Sequence, residues 1–231
     1  MPNIDIARNL ASIQERIEKA TAKCGRNPAK VQLVAVSKTI PPETVKTAID
    51  AGATILGENY IQEACNKIEI LGKGVSWHFI GHLQSNKAKY AVELFDLIHS
   101  IDNPHLAERL NREAQKKHKI MPVLIQVNIA EEDTKHGTDT QTALQLIKDI
   151  SLLDNLRIQG LMTIPPWSSD PEDSRPYFIS LRRLRDELEK QKPGNVSLKE
   201  LSMGMSSDFE VAIEEGATLV RVGTSIFGPR D

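Results

Sequence analysis

The stretch Val31-Gln32-Leu33-Val34-Ala35-Val36-Ser37-Lys38 is a short, valine-rich apolar run that ends on a hydroxyl and an amine. A run of this kind, bounded by turn residues and apolar at successive positions, predicts a strand buried on both faces, as in a parallel sheet covered by helices. Both flanks read as helical. Upstream, Ile6, Leu10, Ile13, Ile17, Ala20 and Cys24 advance by fours and threes, the beat of one helix face. Gly25 and Pro28 stop that helix. Downstream, Pro41-Pro42-Glu43 opens a helix that runs through Ala51, with Gly52 at the stop position, where glycine tolerates the left-handed turn.

The same alternation continues along the chain. Further strands are predicted at 54–56, 76–80, 97–99, 121–128, 157–163, 198–202 and 219–222, with helical stretches at 60–71, 84–95, 103–118, 139–153, 171–191 and 208–215 between them. About eight strands, each separated from the next by a helix, predict an α/β fold: a single (β/α)8 barrel with an extra N-terminal helix. An open, doubly wound sheet usually has fewer strands. The one linker-like segment, Pro165-Pro166-Trp167-Ser168-Ser169-Asp170-Pro171, falls where a strand-to-helix loop belongs, so residues 1–231 read as one domain.

Composition narrows the function classes. Lys plus Arg number 29 against 31 Asp plus Glu, a formal charge of −2, which argues against a generally basic surface for nucleic acid or anionic lipid. The basic clusters Lys116-Lys117-His118-Lys119 and Arg182-Arg183 with Arg185 read as solvated helix faces. Cys24 and Cys65 have no metal-type spacing and read as reduced, partly buried thiols. No apolar run approaches the ~20 residues of a membrane span, and the opening residues carry no targeting pattern. The expectation is a soluble, cytoplasmic protein, and a monomer, because no long apolar helix face is left over.

In such barrels chemistry sits at the carboxyl ends of the strands. Lys38 holds that position after an almost wholly apolar strand. Desolvation lowers a lysine pKa, and the free amine can attack a carbonyl to form a Schiff base. On position alone, a lysine snorkelling to water accounts for it equally well. Ser202-Met203-Gly204-Met205-Ser206-Ser207 leads into a helix start, and Gly223-Thr224-Ser225 follows the last strand. Helix N-termini and the loops after strands seven and eight are the usual phosphate locus of this fold. Arg221 points into the same mouth if Gly223 does. An amine on the first strand facing a phosphate cradle suits pyridoxal 5′-phosphate, and a phosphorylated sugar on a Schiff-base aldolase nearly as well. His78 and His82 are four apart, but Ile80-Gly81 between them does not suggest a helix that would align them, so no metal pair is expected.

The blocks Val34-Ala35-Val36-Ser37-Lys38-Thr39, Gly57-Glu58-Asn59-Tyr60-Ile61-Gln62-Glu63, Trp77-His78-Phe79-Ile80-Gly81-His82-Leu83-Gln84, Gly160-Leu161-Met162-Thr163-Ile164, Leu201 to Asp208 and Arg221 to Gly228 together resemble the signature blocks of the pyridoxal phosphate homeostasis proteins. The resemblance runs from the first helix to the last residues. It implies the barrel of the alanine racemase N-terminal domain and of fold-type III enzymes, with pyridoxal 5′-phosphate as cofactor. It implies an internal aldimine on Lys38, Arg221 facing the pyridine nitrogen, and phosphate contacts from Ser202, Met205, Ser206, Gly223 and Thr224. It also implies Asn59 beside the ring and His78 lining the mouth. His82 stands where relatives often carry another residue.

A cofactor site does not by itself imply catalysis. Racemisation usually needs acid/base groups on both faces of a planar intermediate, and in alanine racemases the second is a tyrosine from a further domain. Here only about nine residues follow the last strand, and of the three tyrosines Tyr60 alone is near a strand end. The leading expectation is therefore a carrier that holds pyridoxal phosphate, buffers its aldehyde and delivers it to apo-enzymes, with no catalytic residue. The alternative is an amino-acid racemase or related fold-type III enzyme.

Overall fold

The computed structural model describes residues 4–130 and 136–229. Its strands are β1 (Gln32–Val36), β2 (Ile55–Glu58), β3 (Ser76–Phe79), β4 (Leu97–Ile101), β5 (Met121–Gln126), β6 (Leu156–Met162), β7 (Glu200–Ser202) and β8 (Leu219–Val222). All pair in parallel with their sequence neighbours, and β8 returns to β1 in the register Gln32↔Leu219 to Ala35↔Val222, so the barrel closes. The helices are α1 (Ile6–Lys23), α2 (Pro42–Asp50), α3 (Ile61–Leu71), α4 (Ala88–Leu94), α5 (Pro104–Lys116), α6 (Ala143–Ser151), α7 (Arg175–Glu189), α8 (Phe209–Glu214) and the single turn α9 (Thr224–Phe227).

Helix α1 buries the face its spacing predicts, Ile6, Leu10, Ile13, Ile17 and Ala20, and Asp5 caps it by accepting the Arg8 N–H at 2.9 Å. It packs against α2, α8 and α9. The element after β8 is only one turn, so α1 takes the eighth place in the outer ring, between α8 and α2. Arg16 fastens it there with two 2.7 Å bonds to Glu210 while stacking over the Phe209 ring.

Three predicted helices start later than their apolar pattern. Asp139 Oδ1 accepts the Thr142 N–H at 2.7 Å, a local turn that delays α6 to Ala143. The first turns before α4 (Ser85–Lys87) and α7 (Pro171–Ser174) are 3-10. In the second case Pro176 has no N–H to give the α-helical ladder.

The barrel is filled in layers. Val34, Ile55, Leu97, Leu124, Met162 and Leu219 form an apolar cluster of their own inside it. Two residues further along three of those strands, on the same inward faces, stand His99, Gln126 and Arg221. The interior thus changes from apolar to polar toward the carboxyl ends of the strands.

Candidate functional site

Above that polar layer opens a cleft of about 300 Å³, lined by side chains from the strand ends. Seven residues singled out from the sequence meet there: Lys38 after β1, Asn59 after β2, Met205 and Ser206 after β7, Arg221 in β8, and Gly223 and Thr224 after it. Val36 and Ile80 add apolar floor and wall, and Ile164 and Trp167, from the loop after β6, stand at the rim, with Trp167 82% exposed. The half-buried Lys38 sits in a tight turn. Ile40 N–H donates to Ser37 O at 3.0 Å, and Thr39 takes φ 64°, a left-handed conformation that costs a β-branched residue energy.

A buried ion pair holds that turn in place. Lys67 on α3 reaches inward to Glu58 at 2.7 Å and Glu63 at 2.6 Å, and donates to the Ser37 carbonyl. Ser37 Oγ donates to the same Glu58 oxygen at 2.6 Å, and Glu63 accepts the Thr39 N–H at 2.5 Å. The residues on either side of Lys38 are therefore both tied to one charged cluster. Burial pushes the Glu58 carboxyl up from its ordinary value, and Lys67 opposes the shift.

His78 and Ser202, expected at the mouth, lie below it and do not line the cleft. Both belong to a chain of hydrogen bonds across the barrel interior. Arg221 Nη1 donates to Ser202 Oγ at 2.6 Å, Ser202 Oγ meets His99 Nδ1 at 2.9 Å, and His99 Nε2 meets His78 Nδ1 at 3.0 Å. Arginine can only donate. The Ser202 hydroxyl proton is thus directed to His99 Nδ1, the His99 proton resides on Nε2, and His78 accepts at Nδ1. This needs neutral imidazoles, and burial supplies them: His78 is lowered to about 4, and His99, also beside the Arg221 charge, well below 6.5. Arg221 Nη2 donates to Thr163 O at 2.9 Å, so two neutral acceptors fix its guanidinium. Burial lowers Arg221 to about 10, which leaves it cationic at neutral pH.

The loops after β7 and β8 are joined to each other. Gly204, at φ +89°, passes so close to α8 that a Cβ there would lie 2.5 Å from Ala212 Cβ. Beyond it, buried Asp208 accepts the Met205 N–H at 2.6 Å, and Ser206 Oγ accepts the Gly223 N–H at 3.2 Å. The Met205 and Gly223 amides therefore have acceptors within the protein. The amides of Ser206, Ser207 and Thr224 have none among the described residues. Asn59 Oδ1 is likewise buried without a hydrogen-bond partner. An amine, three open amides, an unmet acceptor and a fixed cation on one cleft fit an anionic, carbonyl-bearing heteroaromatic ligand.

Sequence reasoning gave no role to His99, Lys67, Glu63 or Trp167, and carried Glu58 and Thr163 only as members of wider strand-end blocks. The i, i+4 pair Glu63 and Lys67 was a readable signal, as was a histidine in the apolar strand Leu97-Ile98-His99. Their partners on other strands were not.

A family model described as alanine racemase, N-terminal domain, matches residues 8–231. A pyridoxal phosphate homeostasis protein from Aquifex aeolicus is 46% identical over 228 residues, covering 98% of this chain and 99% of the relative. That of Escherichia coli K12 is 42% identical, over 98% and 97%. Among solved structures, PipY of Synechococcus elongatus with PLP bound is 39% identical over 97% of this chain and all of its own, at a TM-score of 0.85. Alanine racemase from Corynebacterium glutamicum, 16% identical, superposes at 0.73 over 97% of this chain and 61% of its own, a likeness of fold. This chain belongs to the pyridoxal phosphate homeostasis protein family, built on the alanine racemase N-terminal domain.

Proposed function

We propose that this chain binds pyridoxal 5′-phosphate at the barrel mouth and keeps it as a reversibly held reserve for enzymes that need it. One observation carries the reading: the Lys38 amine and the open donors of Ser206, Ser207 and Thr224 line a single cleft. The names of the relatives and the PLP bound to PipY support it. Pyridoxal phosphate, when bound, supplies an aldehyde that condenses reversibly with a primary amine. Lys38 offers that amine from a turn held by the Lys67 cluster. The Ser206, Ser207 and Thr224 amides and hydroxyls hold a phosphate group, and Asn59 offers its unmet acceptor beside the ring. Arg221, a donor only, favours an unprotonated ring nitrogen as its partner, which weakens the ring as an electron sink.

The same lining favours a carrier over a racemase. Among the described residues that line the cleft, the titratable side chains are Lys38 and the always-donating Arg221, which supplies one acid/base group where racemisation usually needs two. Tyr60 lies in a neighbouring hollow with His82.

The test is a visible spectrum before and after borohydride, followed by peptide mapping of the reduced adduct. A yellow band that vanishes on reduction, with the label on Lys38, is expected. A protein that stays colourless with added pyridoxal phosphate would return the Schiff-base aldolase to first place. Incubation with L-amino acids in deuterated water then separates carrier from racemase, and efficient exchange of the α-proton would overturn the carrier reading.

A further inference from the structure

We propose that His82, Asp102 and His136 form a binding site for a divalent first-row transition cation of the Zn²⁺ class, on the barrel rim next to the cofactor cleft. The three residues come from the ends of three consecutive strands: His82 after β3, Asp102 after β4 and His136 beyond β5. One ligand atom from each lies within 4.8 Å of the other two. The His82 and His136 rings stack at 3.7 Å with their planes 10° apart, which brings the two imidazoles together but leaves their in-plane lone pairs parallel. Zinc bonds to nitrogen and oxygen at about 2.0–2.2 Å, which in a tetrahedral shell sets the donors roughly 3.3–3.5 Å apart. Closing that gap takes side-chain rotation that unstacks the two rings.

The backbone beneath all three residues is fixed. Gly81 lies against β2's exit, where a Cβ would meet Asn59 O at 2.5 Å, and this fixes where His82 begins. The His136 carbonyl accepts Gln126 Nε2 at 3.0 Å, and Thr138 N–H donates to Gln126 O at 2.9 Å. Between them Gly137, at φ +127°, approaches so near that a Cβ would lie 2.7 Å from Asn128 N. Asp102 Oδ1 accepts Asn103 Nδ2 at 2.7 Å, and Asn103 in turn caps α5 through the Leu106 N–H. A carboxylate oriented by a neighbouring amide is the outer-shell arrangement of a metal ligand.

The donor set selects the ion class. Two imidazoles and one carboxylate suit zinc and its transition-metal neighbours, whereas Ca²⁺ and Mg²⁺ prefer sets made of oxygen. Three protein ligands leave a coordination position open. The group is independent of the pyridoxal phosphate reading, because none of its members lines that cleft. His78, the other histidine of that region, is committed to His99.

The test is equilibrium dialysis of the untagged full chain against Zn²⁺ alone, with metal counted per chain, repeated on His82→Ala and His136→Ala. One Zn²⁺ per chain is expected, with affinity at least tenfold weaker in each variant. Co²⁺ should show visible ligand-field bands that both variants lose. Pyridoxal phosphate retention should be unchanged in His82→Ala, which shows that the variant is folded. No binding by the parent chain, or binding that neither variant weakens, would overturn the site.

Discussion

Lys67 Nζ and Glu58 Oε1 meet at 2.7 Å with both side chains essentially out of solvent, directly behind the turn that presents Lys38. Burying two charges is costly and is offset only if the pair stays intact; removing one partner strands the other. Lys67→Ala leaves Glu58 and Glu63 without their shared cation and frees the Ser37 carbonyl. A loss of about 3–5 kcal/mol in urea unfolding is expected, with slower attachment of pyridoxal phosphate at Lys38. Replacing the pair together, as Lys67→Met with Glu58→Gln, should cost less than Lys67→Ala. If Lys67→Ala leaves stability within error of the parent, the cluster is not what holds this turn.

The His78–His99 pair predicts how stability responds to acid. His78 is neutral in the fold, lowered by burial to about 4, whereas in the unfolded chain it takes up a proton near 6.5. Above pH 6.5 neither state is charged and the group contributes nothing. Between pH 6.5 and about 4 the unfolded chain binds more protons than the folded one, so stability falls as pH falls. The loss across that window is on the order of 3 kcal/mol. Unfolding free energies at pH 7.5 and pH 4 would measure it. His78→Gln should flatten the slope, and an equal slope in parent and variant would place the pH dependence elsewhere.

These two clusters also mark where sequence reading reached its limit. The helical face from Ile6 to Ala20, the run Gln32–Val36 and the order of all eight strands were legible because period and turn residues are local properties. Period two also placed Arg221 on the inward face. It could not give depth within the barrel, and the resemblance that implied His78 at the mouth and Ser202 on the phosphate did not supply it; both lie one layer lower. Depth depends on register between strands, and the bond that settles it joins His99 to Ser202, 103 positions apart. Lys67 was hidden differently: it lies on the buried face of α3, where a lysine is expected only with partners, and Glu58 and the Ser37 carbonyl come from other elements.

Lys38→Ala should abolish covalent capture of pyridoxal phosphate while leaving weaker, non-covalent binding through the Ser206, Ser207 and Thr224 donors. The absorption band and the borohydride adduct should vanish, while dialysis still detects binding that pyridoxal, lacking the phosphate, does not share. An unchanged adduct in Lys38→Ala would show that another lysine is used.

The two hydroxyls near the open amides should separate affinity from architecture. Thr224 is exposed at the cleft edge, so Thr224→Val removes a donor and little else. A hydrogen bond to a charged acceptor is worth about 1.5–3 kcal/mol, which corresponds to roughly ten- to hundredfold weaker retention of the cofactor, at an unchanged melting temperature. Ser206 does two things at once, because its Oγ also accepts the Gly223 N–H and so ties the β7 loop to the β8 loop. Ser206→Ala should therefore weaken retention by a similar factor and also lower the melting temperature, since the Gly223 amide loses its acceptor. In the double variant the losses should not simply add, because loosening the loop displaces the Thr224 amide as well. Titrating all three variants with pyridoxal phosphate, and melting each without it, would show this split. Equal melting temperatures for Ser206→Ala and Thr224→Val would mean that the tie between the loops carries no stability.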